Sequence, residues 1–119
     1  MNLCQATHIN GRATQGENIA DLGGLEIGID AFKNSDAYKE NKIIAGLTPM
    51  QRFFMGYALS WLYEIRPELL KNRLMTDVHA PAKYRVNGPF SDIDEFYSTF
   101  EVKPGDKMFR ADSLRVKIW

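Results

Sequence analysis

The sequence is short of cysteine, of unbalanced charge and of long apolar runs, and each shortage excludes a class of function. Among 119 residues there is one cysteine, Cys4, which alone closes no intramolecular disulfide and builds neither a zinc knuckle nor a redox pair. It is assigned no role, and the cellular compartment stays open. Fifteen basic and fifteen acidic side chains cancel, leaving no net field to draw in nucleic acid or an anionic membrane surface. No apolar run approaches the roughly 20 residues of a membrane helix, and no charged-then-apolar leader opens the sequence. The stretch therefore reads as soluble. It has no internal repeat and no low-complexity segment.

What is present has helical periodicity. Residues 1–13 carry no hydrophobic period, include the turn dipeptide Asn10-Gly11, and are expected as a lead-in loop to a helical body over 14–119. Thr14-Gln15-Gly16-Glu17 has capping-box spacing, which places the first helix start at Thr14. Leu22, Leu25, Ile29 and Phe32 then form an apolar stripe running to about Asp36. Glu17, Asp21, Gly24 and Gly28 share another face, two carboxylates followed by two positions without side chains. Glycine inside a helix costs about 1 kcal/mol relative to alanine, so two in one row predict a closely packed neighbour.

The segment Asn34 to Gly46 is polar and turn-rich. Thr48-Pro49-Met50-Gln51 is a second capping box, with proline at the first helical position. From Phe53 to Ile65 almost no polar face remains, which predicts a helix buried all round and broken at Arg66-Pro67. A short helix is expected over 68–74, then a loop over 76–89, extended around Tyr84-Arg85-Val86. A helix from Ser91 to Phe100, a turn at Pro104-Gly105-Asp106 and a short helix near Asp112 complete a single, mainly α domain over 1–119.

The segment Gly16-Glu17-Asn18-Ile19-Ala20-Asp21-Leu22-Gly23-Gly24 resembles the stretch after the zinc-binding helix in relatives of neprilysin and endothelin-converting enzyme, including bacterial oligopeptidases. The resemblance continues through Gln51-Arg52-Phe53-Phe54, Trp61, Thr76-Asp77-Val78-His79-Ala80-Pro81, Arg85-Val86-Asn87-Gly88, Glu95-Phe96, Lys103-Pro104-Gly105-Asp106 and Trp119. It implies the helical C-terminal portion of a thermolysin-like zincin catalytic domain. The parent enzyme would be a zinc-dependent endopeptidase that hydrolyses peptide bonds through a zinc-activated water. It also implies a secreted, periplasmic or membrane-anchored parent. The scarcity of cysteine, with none just before Trp119, points to a bacterial member.

In that family zinc is held by two histidines of an H-E-x-x-H helix and by a glutamate further along the chain. The match places Glu17 at that glutamate, consistent with three protein ligands and an open position for water at a catalytic zinc. Asp21 matches an aspartate that accepts a hydrogen bond from a ligating histidine and fixes its orientation. Spacing alone reads Glu17 as a capping-box glutamate and Asp21 as a carboxylate favoured near a helix N-terminus. His79 matches a histidine that donates to the oxyanion formed during peptide attack, and Asp77 matches its orienting carboxylate. Two residues apart in an extended loop, these side chains point the same way. Without the match, His79 reads as an exposed loop histidine. Arg85 matches an arginine that grips a substrate carbonyl; otherwise, beside Lys83, it reads as a surface ion-pair residue. Trp61 resembles a wall of the pocket for the side chain after the scissile bond, or reads as core. Ser60 stands where the family usually has valine.

His8 and His79 are the two histidines, and no H-E-x-x-H occurs in the sequence. Two zinc ligands and the general base are therefore missing, and a site rebuilt from His8, Glu17 and His79 would be a coincidence of spacing. The isolated chain is expected to hold no zinc and to cleave no peptide. Two functions remain. One is the C-terminal piece of a zinc endopeptidase, whose partners are the peptide substrate and the rest of the catalytic domain. The other is a stand-alone, non-catalytic helical module that binds peptide or protein. With the zinc helix absent, the face bearing Glu17, Asp21, Gly24 and Gly28 should meet water or a partner, which predicts a homodimer or fragment-complementing association.

Overall fold

Asn10 begins the first helix. Its side chain accepts the N–H of Ala13 at 3.2 Å, so helix α1 runs from Gly11 to Asn34, three residues ahead of the expected start. Asparagine caps as well as threonine, and it comes first along the chain. Thr14 instead lies within the first turn, buried, donating its hydroxyl to the Asn10 carbonyl at 3.2 Å. Glu17 is consequently a second-turn residue and not the partner of a capping box.

The computed structural model describes residues 8–119; Cys4 and most of the lead-in segment fall outside them. After α1 come α2 (Asp36–Lys39), α3 (Pro49–Ser60), α4 (Pro67–Thr76), α5 (Ala82–Phe90), α6 (Asp94–Phe100) and a 3-10 turn at Asp112–Leu114. Extended pairing among the described residues is confined to one bridge, Ile44 with Leu47, so the mainly α expectation holds. No described helix is long and apolar enough to cross a membrane.

The start of α3 follows its sequence. Thr48 Oγ1 accepts the Gln51 N–H at 3.2 Å, and Gln51 Oε1 accepts the Thr48 N–H at 2.9 Å, with Pro49 in the position where its missing donor is harmless. The rest of α3 differs from expectation. It ends at Ser60, and only one flank is covered: Phe54 is fully buried, but Met55 and Leu59 are exposed, as is Leu62 just beyond the helix.

The region expected as a loop contains α5. Pro81 supplies its extended lead-in, and the Pro81 carbonyl accepts the N–H groups of Tyr84 (2.8 Å) and Arg85 (3.2 Å). Pro89 falls in the last turn, so Gly88-Pro89 closes this helix and does not forbid it. Ser91, expected to open the next helix, seals the end of α5 by donating its hydroxyl to the Gly88 carbonyl at 2.7 Å, and α6 starts at Asp94. The Arg66-Pro67 pair likewise begins α4, with Pro67 at its first position.

The core gathers Leu22, Leu25 and Ile29 of α1, Phe54 of α3, Phe90 of α5, Ile93, and Phe96 and Tyr97 of α6. Phe54 lies edge-on to Phe90, Phe96 and Phe100, with ring centroids 5.0, 5.5 and 6.0 Å away. Burying such a side chain stabilises the fold by about 1.5–3 kcal/mol. The Tyr97 hydroxyl donates to the Ser91 carbonyl at 2.8 Å and accepts the Arg110 N–H at 2.7 Å, which ties the C-terminal segment to the core. The glycine row is packed unevenly. A Cβ at Gly28 would meet Phe53 at 3.5 Å, whereas Gly24 has open space; the tight neighbour of α1 lies instead at Gly23, against Ile118 and Trp119.

Candidate active site between α1 and α5

Glu17 and Asp21 leave α1 one turn apart, on the flank that faces α5 and the loop before it. Arg85 comes from the first turn of α5. Its helical backbone, unlike the extended one expected, lets the side chain lie along α1: Arg85 Nε donates to Asp21 Oδ2 and Arg85 Nη2 to Asp21 Oδ1, both at 2.6 Å. Such a two-pronged pair fixes the guanidinium plane. Both side chains are mostly withdrawn from solvent, 16% and 11% exposed. The hydrogen bonds that Arg85 donates to Asp21 raise its pKa above its already high value. The guanidinium carbon sits 4.1 Å from the centre of the Trp61 ring, and Trp61 stands at the C-terminal end of α3.

The loop between α4 and α5 carries the second group. Asp77 Oδ1 accepts the backbone N–H of His79 at 2.9 Å and lies 2.8 Å from its Nδ1, so one carboxylate oxygen holds both the backbone and the ring of His79. The backbone N–H first, then the ring, hold the Asp77 carboxyl below its ordinary value of 3.8. On its other edge, His79 Nε2 lies 3.2 Å from Glu17 Oε2. Ionised carboxylates only accept, so both contacts are hydrogen bonds at once only when both ring nitrogens carry protons.

The site residues expected from the sequence thus form two chains of contact, Glu17 to His79 to Asp77 and Asp21 to Arg85 to Trp61. On that flank of α1, Asp21 pairs with Arg85 and Gly28 lies beside Phe53, while the Glu17 side chain, 42% exposed, contacts His79, and Gly24 faces open space. A cavity of about 250 Å³ opens beside the two groups, walled by Trp61, Ile65, Leu74, Pro81, His79 and Arg85.

One participant was not visible in the sequence. Tyr57, a turn before Trp61, donates its hydroxyl to the Arg85 carbonyl at 3.3 Å, and burial followed by the nearby Asp21 charge raises its pKa above 10.0. Aromatic spacing on α3 marked it only as core.

A catalytic zinc takes three protein ligands. Among the described residues no group of three or more His, Cys, Asp or Glu side chains could hold a metal ion. Glu17 offers one carboxylate, so these residues alone do not fit zinc.

The sequence pattern of Peptidase family M13 matches residues 1–116. The chain is 40% identical over 111 residues to a neutral endopeptidase of Lactobacillus helveticus, covering 93% of this chain and 16% of that protein. It is 41% identical over 103 residues to endothelin-converting enzyme 1 of Cavia porcellus, covering 84% of this chain and 14% of that one. The fold superimposes with a TM-score of 0.86 on the zinc metalloprotease ZMP1 of Mycobacterium tuberculosis in its open state, at 37% identity, covering all of this chain and 18% of that one. The chain therefore spans about a sixth of its relatives' length, and it belongs to Peptidase family M13, as a helical C-terminal portion of a neprilysin and endothelin-converting-enzyme type of peptidase.

Proposed function

We propose that this chain is the substrate-facing C-terminal part of a zinc endopeptidase and is inactive by itself. The observation that supports this is that Trp61, Asp77, His79 and Arg85, from the end of α3, the loop after α4 and α5, line one cavity, with Glu17 and Asp21 of α1 paired to His79 and Arg85. In a complete enzyme Glu17 would supply one ligand of a zinc ion, which when bound activates water for peptide hydrolysis. The other roles belong to this chain. Asp77 orients the His79 ring so that Nε2 presents a hydrogen to a carbonyl oxygen as it gains negative charge. Asp21 takes two of the five guanidinium N–H donors of Arg85 and leaves the others for a substrate carbonyl. Trp61 walls the space for the neighbouring side chain. The partners are a peptide and the remainder of a catalytic domain.

A complementation assay tests the reading. The chain alone should cleave no peptide. Mixed with the Lactobacillus helveticus enzyme shortened by its matching segment, it should restore zinc-dependent cleavage, and Glu17→Ala should abolish the gain. Cleavage by the chain alone, or rescue indifferent to Glu17, would overturn it. The cavity beside Arg85, walled in part by apolar side chains of this chain, favours a second reading as a peptide-binding module; metal-independent peptide binding lost in Arg85→Ala, together with no complementation, would select that one.

A further inference from the structure

Arg85 is fixed at its tip by Asp21, but its backbone is exceptional within α5. In a continuing helix the carbonyl of residue 85 would accept the N–H of residue 89, and residue 89 is proline, which has no N–H to give. The vacancy is filled from another helix, by the Tyr57 hydroxyl at 3.3 Å. The same tyrosine ring lies against Phe90 (centroids 5.7 Å apart) and Trp61 (6.3 Å), and Trp61 is the ring over which the Arg85 guanidinium is stacked. One side chain therefore touches both the backbone that launches Arg85 and the aromatic surface on which it rests.

We propose that Tyr57 is a positioning residue for Arg85, acting through the backbone carbonyl that Pro89 leaves without an intrahelical donor. The inference rests on the reading of Arg85 as a substrate-binding group, which it deepens. A bidentate pair tolerates little error in the approach of its two planes. Asp21 is carried by α1 and Arg85 by α5, so their register depends on how α5 is pinned along its axis. Leu22, Phe90 and the rest of the core hold α5 to the molecule. Apolar packing alone is non-directional, whereas the Tyr57 hydroxyl acts on one carbonyl, the one belonging to the arginine.

The test is hydrogen exchange of the Arg85 Nε–H followed by NMR on the full chain, with the signal assigned by its loss in Arg85→Lys. Removing only the hydroxyl, Tyr57→Phe should speed that exchange roughly fivefold, while backbone amides of α6 exchange as before. Adding Pro89→Ala to Tyr57→Phe restores a donor to the Arg85 carbonyl from within the helix, and the exchange should return towards its original rate. Unchanged exchange in Tyr57→Phe would overturn the proposal. So would uniform acceleration across all helices, which marks a merely structural tyrosine, or a double variant as fast as the single one. The measurement needs neither zinc nor peptide, so its failure is distinguishable from a failure of the complementation assay.

Discussion

The cluster around Phe54 and the polar line through Glu17, His79 and Asp77 are both organised by α1, yet they have different physical demands. In the cluster the rings meet Phe54 through apolar contacts, and Phe54 has no exposed surface. Along the polar line the side chains are 31–44% exposed, and each contact is directional and open to exchange with an incoming group. The Asp21–Arg85 pair lies between them, withdrawn like the core but charged like the line. The difference teaches where stability and chemistry reside: the buried half of α1 holds the fold, and its N-terminal half presents groups that can change partners.

Substitutions can sharpen that contrast, beginning with the core. Phe54→Ala should cost about 3–5 kcal/mol in urea unfolding, because the surrounding rings cannot close the cavity. A cost near 1 kcal/mol would mean that the cluster is looser than its ring geometry. Asp21→Ala should cost about 1–3 kcal/mol by the same measurement, since it leaves a mostly withdrawn guanidinium without its acceptor. His79→Ala should change stability by no more than about 0.5 kcal/mol, as expected of an exposed position. A loss as large as that of Asp21→Ala would remove the distinction between the polar line and the pair.

The smallest effect is a pH dependence. The Asp77 carboxyl is held below its ordinary value of 3.8 by the His79 backbone and ring. A lowered folded-state pKa contributes stability that is present above the unfolded value and is lost as pH falls through the folded one. The side-chain carboxyl carbon signal of Asp77 followed by NMR should therefore keep its ionised position until the pH falls below 3.8. A midpoint at or above 3.8 would show that Asp77 does not hold the backbone and ring of His79.

Some of this was legible in residues alone because it depends on neighbours in the chain. The Thr48 capping box formed as spelled, and the spacing of Asp77 and His79 produced the ring contact. Glu17 and Asp21 lie one turn apart, as their spacing requires. Where the reading failed, the competing signals were local but of nearly equal strength. Asn10 capped ahead of Thr14. Pro81 and Gly88-Pro89 looked like breakers, yet proline is harmless before a helix, and in the last turn it removes a single hydrogen bond that another helix supplied. The buried-all-round expectation for α3 failed because apolar composition does not state how many neighbours there are to cover it.

The sequence by itself determined the helical class, the family and the kinds of group at the site, because caps, periodicity and motif spacing are properties of residues a few positions apart. Only the tertiary structure decided the partners: that Asp21 takes Arg85, that Glu17 meets His79, and that Tyr57 serves a carbonyl 28 residues away. Those choices depend on how α1, α3 and α5 pack, and packing is settled by the shapes of buried side chains acting together rather than by any one stretch of the chain.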